Sequence, residues 1–144
     1  MLKEAHISDA KQAAELALLL WPDNELSDFI KEMEQFISKE DAFIVLAYDQ
    51  EEAIGFAQCQ LRYDYVEGTD SSPVGYLEGL YVKDTFRNKG TARQLVEACE
   101  GWVKEKGCIE FASDCELTNL ASAAMHLKLG FEEANRIICY KKNL

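Results

Sequence analysis

Apolar positions along the chain change period several times, and each change marks an element. Residues 2–7 read as a short strand, after which Ala13, Leu16, Ala17 and Leu20 recur at helical spacing, with Ser8 or Asp9 placed to cap that helix. Trp21-Pro22 ends it, because the residue before a proline disfavours helical backbone. Ser27 precedes a second helical pattern carrying Phe29, Ile30, Met33, Phe36 and Ile37. Residues 42–48 and 54–62 are β-rich runs joined by a polar link short enough for a hairpin. A loop rich in Asp, Ser, Gly and Pro follows at 63–75, holding Tyr63 and Tyr65. Residues 76–82 predict a strand, and 91–106 a helix with the stripe Ala92, Leu95, Val96, Cys99, Trp102 and Val103. That stripe makes Trp102 a core residue rather than a site residue.

Gly107 is placed to end this helix in a left-handed turn. A strand at 109–113, a helix at 118–129 stopped by Gly130, and one long or two short antiparallel strands over 131–142 complete the order. The expectation is an α/β (α+β) domain spanning 1–144, in which a mixed, mostly antiparallel sheet of six to seven strands is flanked by about four helices. No repeat or low-complexity tract divides the chain.

Composition narrows the function. A length of 144 residues, 48% of them hydrophobic, suffices for a core without disulfide or metal staples. The 26 Asp and Glu against 15 Lys and Arg give a formal charge of -11. Such a field repels phosphate polymers and anionic lipid surfaces and attracts cations, so neither nucleic acid nor membrane is an expected partner. The five cysteines are odd in number and contain no C-x-x-C pair, which argues against a disulfide framework or a zinc knuckle, and no metal is expected. With no leader-like or membrane-spanning apolar run, a reducing cytoplasm is the expected location.

The chemistry concentrates after the strand at 76–82. Arg87-Asn88-Lys89-Gly90-Thr91-Ala92 opens the amphipathic helix, so several backbone N–H groups sit at the positive end of a helix dipole, where phosphate binds. Gly90 lets an anion approach the backbone, and Arg87 and Lys89 add charge. The glycine spacing fits neither a Walker loop nor a dinucleotide fingerprint, and R-x-x-G-x-A alone equally describes a basic first turn with a packing glycine.

Arg87-x-x-Gly90-x-Ala92 resembles the pyrophosphate loop of the GCN5-related N-acetyltransferases. Asn119 followed by a helix ending in Gly130-Phe131 resembles the family's second signature, in the same order and at the same distance. A closer resemblance is to the aminoglycoside 6'-N-acetyltransferases. It rests on Leu20-Trp21-Pro22, the loop from Arg62 through Tyr65 and Gly68 to Pro73, Leu77-Glu78-Gly79 and Ala112-Ser113-Asp114.

The resemblance implies acetyl-CoA as cosubstrate, lying between two parallel strands that splay apart, here 76–82 and 109–113. It implies cofactor contacts at Leu80, Val82, Arg87, Asn88, Lys89, Gly90, Thr91, Ala92 and Asn119. A backbone N–H near Leu80 would stabilise the developing oxyanion. Asn119 can equally be a helix cap, with Thr118 the competing cap. An amine arriving as a cation needs a carboxylate to orient it and help deprotonate it. Glu78 and Asp114 are the candidates, Asp114 being the family-implied contact to the reactive amine, and both can also be pure binding groups.

His126 stands where many family members carry a tyrosine that protonates the departing thiolate; it can donate a proton or simply pack. Cys115 has no neighbouring base to support a covalent route, so direct attack is expected. Trp21 and Tyr65 would line the sugar rings, with Asp64, Glu67 and Asp70 as further carboxylates. The resemblance implies a homodimer, and the apolar run 136–140 would need a partner strand, from its own chain or another. The alternatives are transfer to another amine (a polyamine, a small molecule or a protein N-terminus) or a noncatalytic acetyl-CoA-binding module.

Overall fold

The computed structural model describes residues 1–144. In chain order the elements are β1 (Leu2–Glu4), α1 (Ala10–Leu20), α2 (Leu26–Ile37), β2 (Ala42–Asp49), β3 (Glu52–Arg62), β4 (Val74–Val82), α3 (Thr91–Glu105), β5 (Phe111–Ala112) and α4 (Leu120–Lys128), with 3-10 turns at Ile7–Asp9 and Asp84–Phe86. The five strands form one sheet in sequence order, antiparallel except for the parallel pair β4–β5.

Alternation along β2 explains why helices cover both faces. Ile44 and Leu46 point to one side, where with Phe56 they pack against Ala13, Leu16 and Ala17 of α1 and Phe29, Met33 and Phe36 of α2. Val45 and Ala47 point to the other, where Leu95, Val96, Cys99 and Val103 of α3 close the second core. Each fully buried Leu or Val contributes roughly 1.5–3 kcal/mol, so the α3 stripe is a principal tie between that helix and the sheet. Cys59 and Cys99 meet in this core; the hydrogen bond to Cys99 and burial push the Cys59 thiol far above its ordinary value, and it stays protonated.

The helix stops fall where the sequence places them. Trp21 leaves the helical region just before Pro22. Gly107 at φ 88° and Gly130 at φ 94° adopt the left-handed conformation after α3 and α4. Asp9 precedes α1, but its carboxylate serves the turn before the helix, accepting from the His6 N–H at 2.9 Å and Lys3 Nζ at 2.8 Å. Trp102 is half-buried at the rim of its core, stacked on Phe43 with ring centroids 5.4 Å apart.

Two expectations are corrected. The sheet has five strands, not six or seven, because residues 131–142 form no strand. β5 is only two residues long and offers no edge on which a further strand could build a ladder. Residues 131–142 therefore lie over the surface, where Asn135 Nδ2 donates to Glu67 and Ile137, Ile138 and Tyr140 remain exposed. The strands expected at 2–7 and 109–113 are likewise shorter, ending at Glu4 and confined to Phe111–Ala112.

Candidate active site

The β4–β5 ladder pairs only Gly75 with Phe111 and Tyr76 with Ala112; past that step main-chain pairing ends, and the Ser113 hydroxyl donates to Leu77 O at 3.4 Å. Gly75 permits this approach, since a Cβ there would lie 2.4 Å from a Val103 methyl and 2.9 Å from the Phe111 ring. On the other edge of β4 the register slips: Gln58 pairs with Gly79 and Cys59 with Leu77, leaving Glu78 as the extra residue of a bulge. Bulges re-aim side chains beside active sites. Glu78 on β4 and Asp114 just past β5 thus stand near the point where the strands separate.

The two carboxylates are held differently. Glu78 accepts from Arg62 Nη2 at 2.6 and 3.0 Å and from Gln60 Nε2 at 2.5 Å, which occupies both its oxygens. The Arg62 guanidinium also lies 3.5 Å from the Tyr76 ring centroid. Asp114 is exposed and accepts from the phenol of buried Tyr76. Burial, then the Asp114 bond, pushes the Tyr76 pKa well above its ordinary value, so the phenol keeps its proton.

A cleft of about 450 Å³ adjoins Glu78 between β3, β4 and α2, lined by Trp21, Phe29, Glu32, Met33 and Gln58 among others. Trp21 is seated edge-on against Phe29 and Phe56, at centroid distances of 6.2 and 6.4 Å. Gly79 makes room for it: a Cβ there would sit 2.7 Å from the indole. Buried Gln58 Oε1 has no hydrogen-bond partner, leaving an acceptor in the cleft wall. Tyr65 is not in this wall; it stands 76% exposed in the loop before β4.

The expected anion site lies at the other end of β4. Asn88 and Gly90 adopt positive φ, 63° and 82°, turning the chain into α3 with no side chain capping its first turn. The first helical bond there runs from the Gln94 N–H to Gly90 O, so the preceding amides at Thr91, Ala92 and Arg93 stay available, as at any uncapped helix start. A Cβ on Gly90 would meet nothing within 4 Å, which leaves the approach open. Arg87 is exposed but folds back on its own turn: its Nε donates to Val82 O at 2.8 Å and its Nη1 pairs with Asp84 at 2.8 Å, bracing it. Lys89 is exposed with its ammonium 5.6 Å from the Phe86 ring centroid. Leu80 is half-buried and Val82 buried on the strand between the two regions.

Asn119 caps α4, its Oδ1 accepting from the Ser122 N–H at 3.1 Å, while its amide nitrogen keeps its donors. His126 has partners on both ring nitrogens: Nδ1 lies 2.7 Å from Ser122 O and so donates to it, and Nε2 lies 2.8 Å from Ser113 Oγ. With Phe131 edge-on at 5.2 Å, the ring ties α4 to the end of β5. Gln58, Gln60, Arg62 and Tyr76 are the site residues that sequence reasoning passed over.

Residues 10–131 match the Acetyltransferase (GNAT) family. The chain is 40% identical over 143 residues to the aminoglycoside N(6')-acetyltransferase type 1 of Acinetobacter haemolyticus, covering 99% of this chain and 98% of that relative. With its counterpart from Acinetobacter baumannii it shares 44% identity over 141 residues, 96% of each chain. The structure of AAC(6')-Iy in complex with the bisubstrate analogue CoA-S-monomethyl-acetylneamine superposes with a TM-score of 0.95 at 36% identity, over 100% of this chain and 98% of that one. Aminoglycoside 6'-N-acetyltransferase AAC(6')-Ih from Acinetobacter baumannii does so with a TM-score of 0.95 at 41% identity, over 100% and 98% of the two chains.

Proposed function

Because the chain belongs to the Acetyltransferase (GNAT) family, we propose that it moves the acetyl group of acetyl-CoA to the 6'-amine of an aminoglycoside, conferring resistance to the antibiotic. The observation that carries this reading is the parted β4–β5 pair flanked by Glu78 and Asp114 beside an aromatic and acidic cleft. In relatives of this similarity the same fold holds CoA and an aminoglycoside moiety in one ligand.

Acetyl-CoA is bound at its diphosphate by the amides from Asn88 through Ala92, with Lys89 adding charge and Arg87 bracing the turn. Asn119 contributes its free amide donors from the start of α4. The pantetheine arm follows the gap past Val82 and Leu80, and a main-chain N–H at Leu80 faces the thioester oxygen. Trp21 offers a flat apolar wall to a sugar ring, and Tyr65 reaches over from its loop. The 6'-ammonium docks on Asp114 and passes one proton to that carboxylate, and the neutral nitrogen attacks the thioester carbon. The C–N bond forms, the C–S bond breaks, and the departing CoA thiolate takes the second proton of the nitrogen and leaves as the thiol.

Glu78, already compensated by Arg62, anchors the acceptor rather than deprotonating it. His126 is a structural tie, because neither ring nitrogen is free to protonate the thiolate. We infer one domain over 1–144, a homodimer in which the exposed Ile137, Ile138 and Tyr140 are covered by a second copy, and a cytoplasmic site of action, supported by cysteines with no disulfide pattern. The test is thiol release from acetyl-CoA with kanamycin or tobramycin. Turnover is expected, and none with any 6'-amino aminoglycoside defeats the reading.

A further inference from the structure

The two carboxylates near the point where β4 and β5 part differ in kind. Glu78 pairs with a guanidinium and an amide, so its charge is cancelled and both oxygens are engaged. Asp114 is held at Oδ2 by a neutral donor, the Tyr76 phenol, while Oδ1 has no protein donor. A neutral donor orients an anion without cancelling it. The groups around this pair are Tyr76 and Glu78 on β4, Arg62 on β3, and His126 on α4, which reaches the same strand end through Ser113.

The stack beneath explains why Tyr76 is fixed. Its ring is 6% exposed, in a small core with Val66 and Val74, and Arg62 covers its face with the guanidinium carbon 3.5 Å from the centroid. A cation over the ring draws electron density from the phenol and strengthens the O–H as a donor. Arg62 thus serves both carboxylates, Glu78 directly and Asp114 through the ring. The ladder step Tyr76–Ala112 is the last before the strands separate, so the phenol reaches across the join to a carboxylate that has left the sheet.

We propose that Tyr76 is a positioning residue for acetyl transfer: its phenol fixes the Asp114 carboxylate in one orientation with one oxygen free, as the carboxylate without a cationic partner that receives the acceptor's ammonium. The inference rests on the acetyl-transfer reading and adds to it a residue that acts only through Asp114. It also divides the labour between the carboxylates: Glu78, compensated by Arg62, lines the cleft, and Asp114 takes the ammonium.

A double-mutant cycle tests it. Kanamycin turnover and calorimetric CoA binding are measured for the wild type, Tyr76→Phe, Asp114→Ala and the double variant. Tyr76→Phe keeps the ring under Arg62, and unchanged CoA affinity serves as the check that the site is intact. A hydrogen bond to a charged group is worth enough that its loss lowers kcat/KM about tenfold. Asp114→Ala lowers it further, and adding Tyr76→Phe to that variant changes it by less than about twofold, because the phenol then has nothing to position. The same tenfold loss in both backgrounds overturns the proposal and leaves the transfer reading standing. A wild type that acetylates no 6'-amino aminoglycoside overturns both.

Discussion

Gly79 shows how one missing side chain shapes the acceptor end. It pairs with Gln58 on β3 and leaves the space that the Trp21 indole fills. The indole, 37% exposed, is seated edge-on against Phe29 and Phe56. Gly79→Ala therefore forces the ring off its seat. Overpacking of this kind costs about 1–3 kcal/mol. The expected outcome is a lower thermal midpoint together with a KM for kanamycin raised several-fold, while CoA affinity holds because the turn proposed to bind its diphosphate lies at the far end of β4. An equal loss of CoA affinity would show that the strand, not the Trp21 wall, had moved. Trp21, Glu78 and Asp114 could be named as candidates from the sequence because short motifs carry them. Arg62 and Tyr76 were not: their partners lie 16 and 38 positions away, and the pairing depends on a bulge that no local pattern announces.

At the scale of elements, the passage from β1 to α1 hangs on one buried carboxylate. Burial alone would raise the pKa of Asp9, but hydrogen bonds from Lys3 Nζ and the His6 N–H outweigh it and hold the group below its ordinary value. A depressed carboxylate contributes stability that is present above its unfolded pKa of 3.8 and lost as pH falls through the lower folded value. Asp9→Asn should thus lower stability at neutral pH by about 0.5–2 kcal/mol, the range for a lost turn or cap contact. The gap between variant and wild type should close as pH drops below 3.8 and on through the lower folded value. Urea midpoints across that range measure it, and a gap independent of pH would assign the loss to packing.

The other elements repay the same comparison with sequence. The helical stripes, the stop before Pro22 and the left-handed Gly107 and Gly130 were readable because each is a local matter of period or backbone freedom. The strand expected at 131–142 was not decided locally. Its apolar residues suit a strand, but a strand exists only where a neighbouring edge accepts its backbone, and two-residue β5 supplies none.

At the scale of the molecule, the charge of -11 acts on the two ligands in opposite senses. In the proposed mode of binding a polycationic acceptor is drawn in by the whole field as well as by Glu32 in the cleft wall, whereas CoA is an anion that must bind against that field through the amides at the start of α3. Raising salt from about 20 to about 300 mM shortens the screening length from roughly 20 Å to roughly 6 Å. The acceptor loses long-range attraction and steering, so its KM should climb several-fold. For acetyl-CoA two changes oppose each other: repulsion from the acidic surface is screened, and so is the pull of Lys89. Its KM should consequently move by less than about twofold. Steady-state kinetics with each substrate varied in turn separates the two cases. Parallel increases in both KM values would mean that salt acts on the fold or on catalysis in general, and that the acidic surface serves solubility rather than recognition of a polycation.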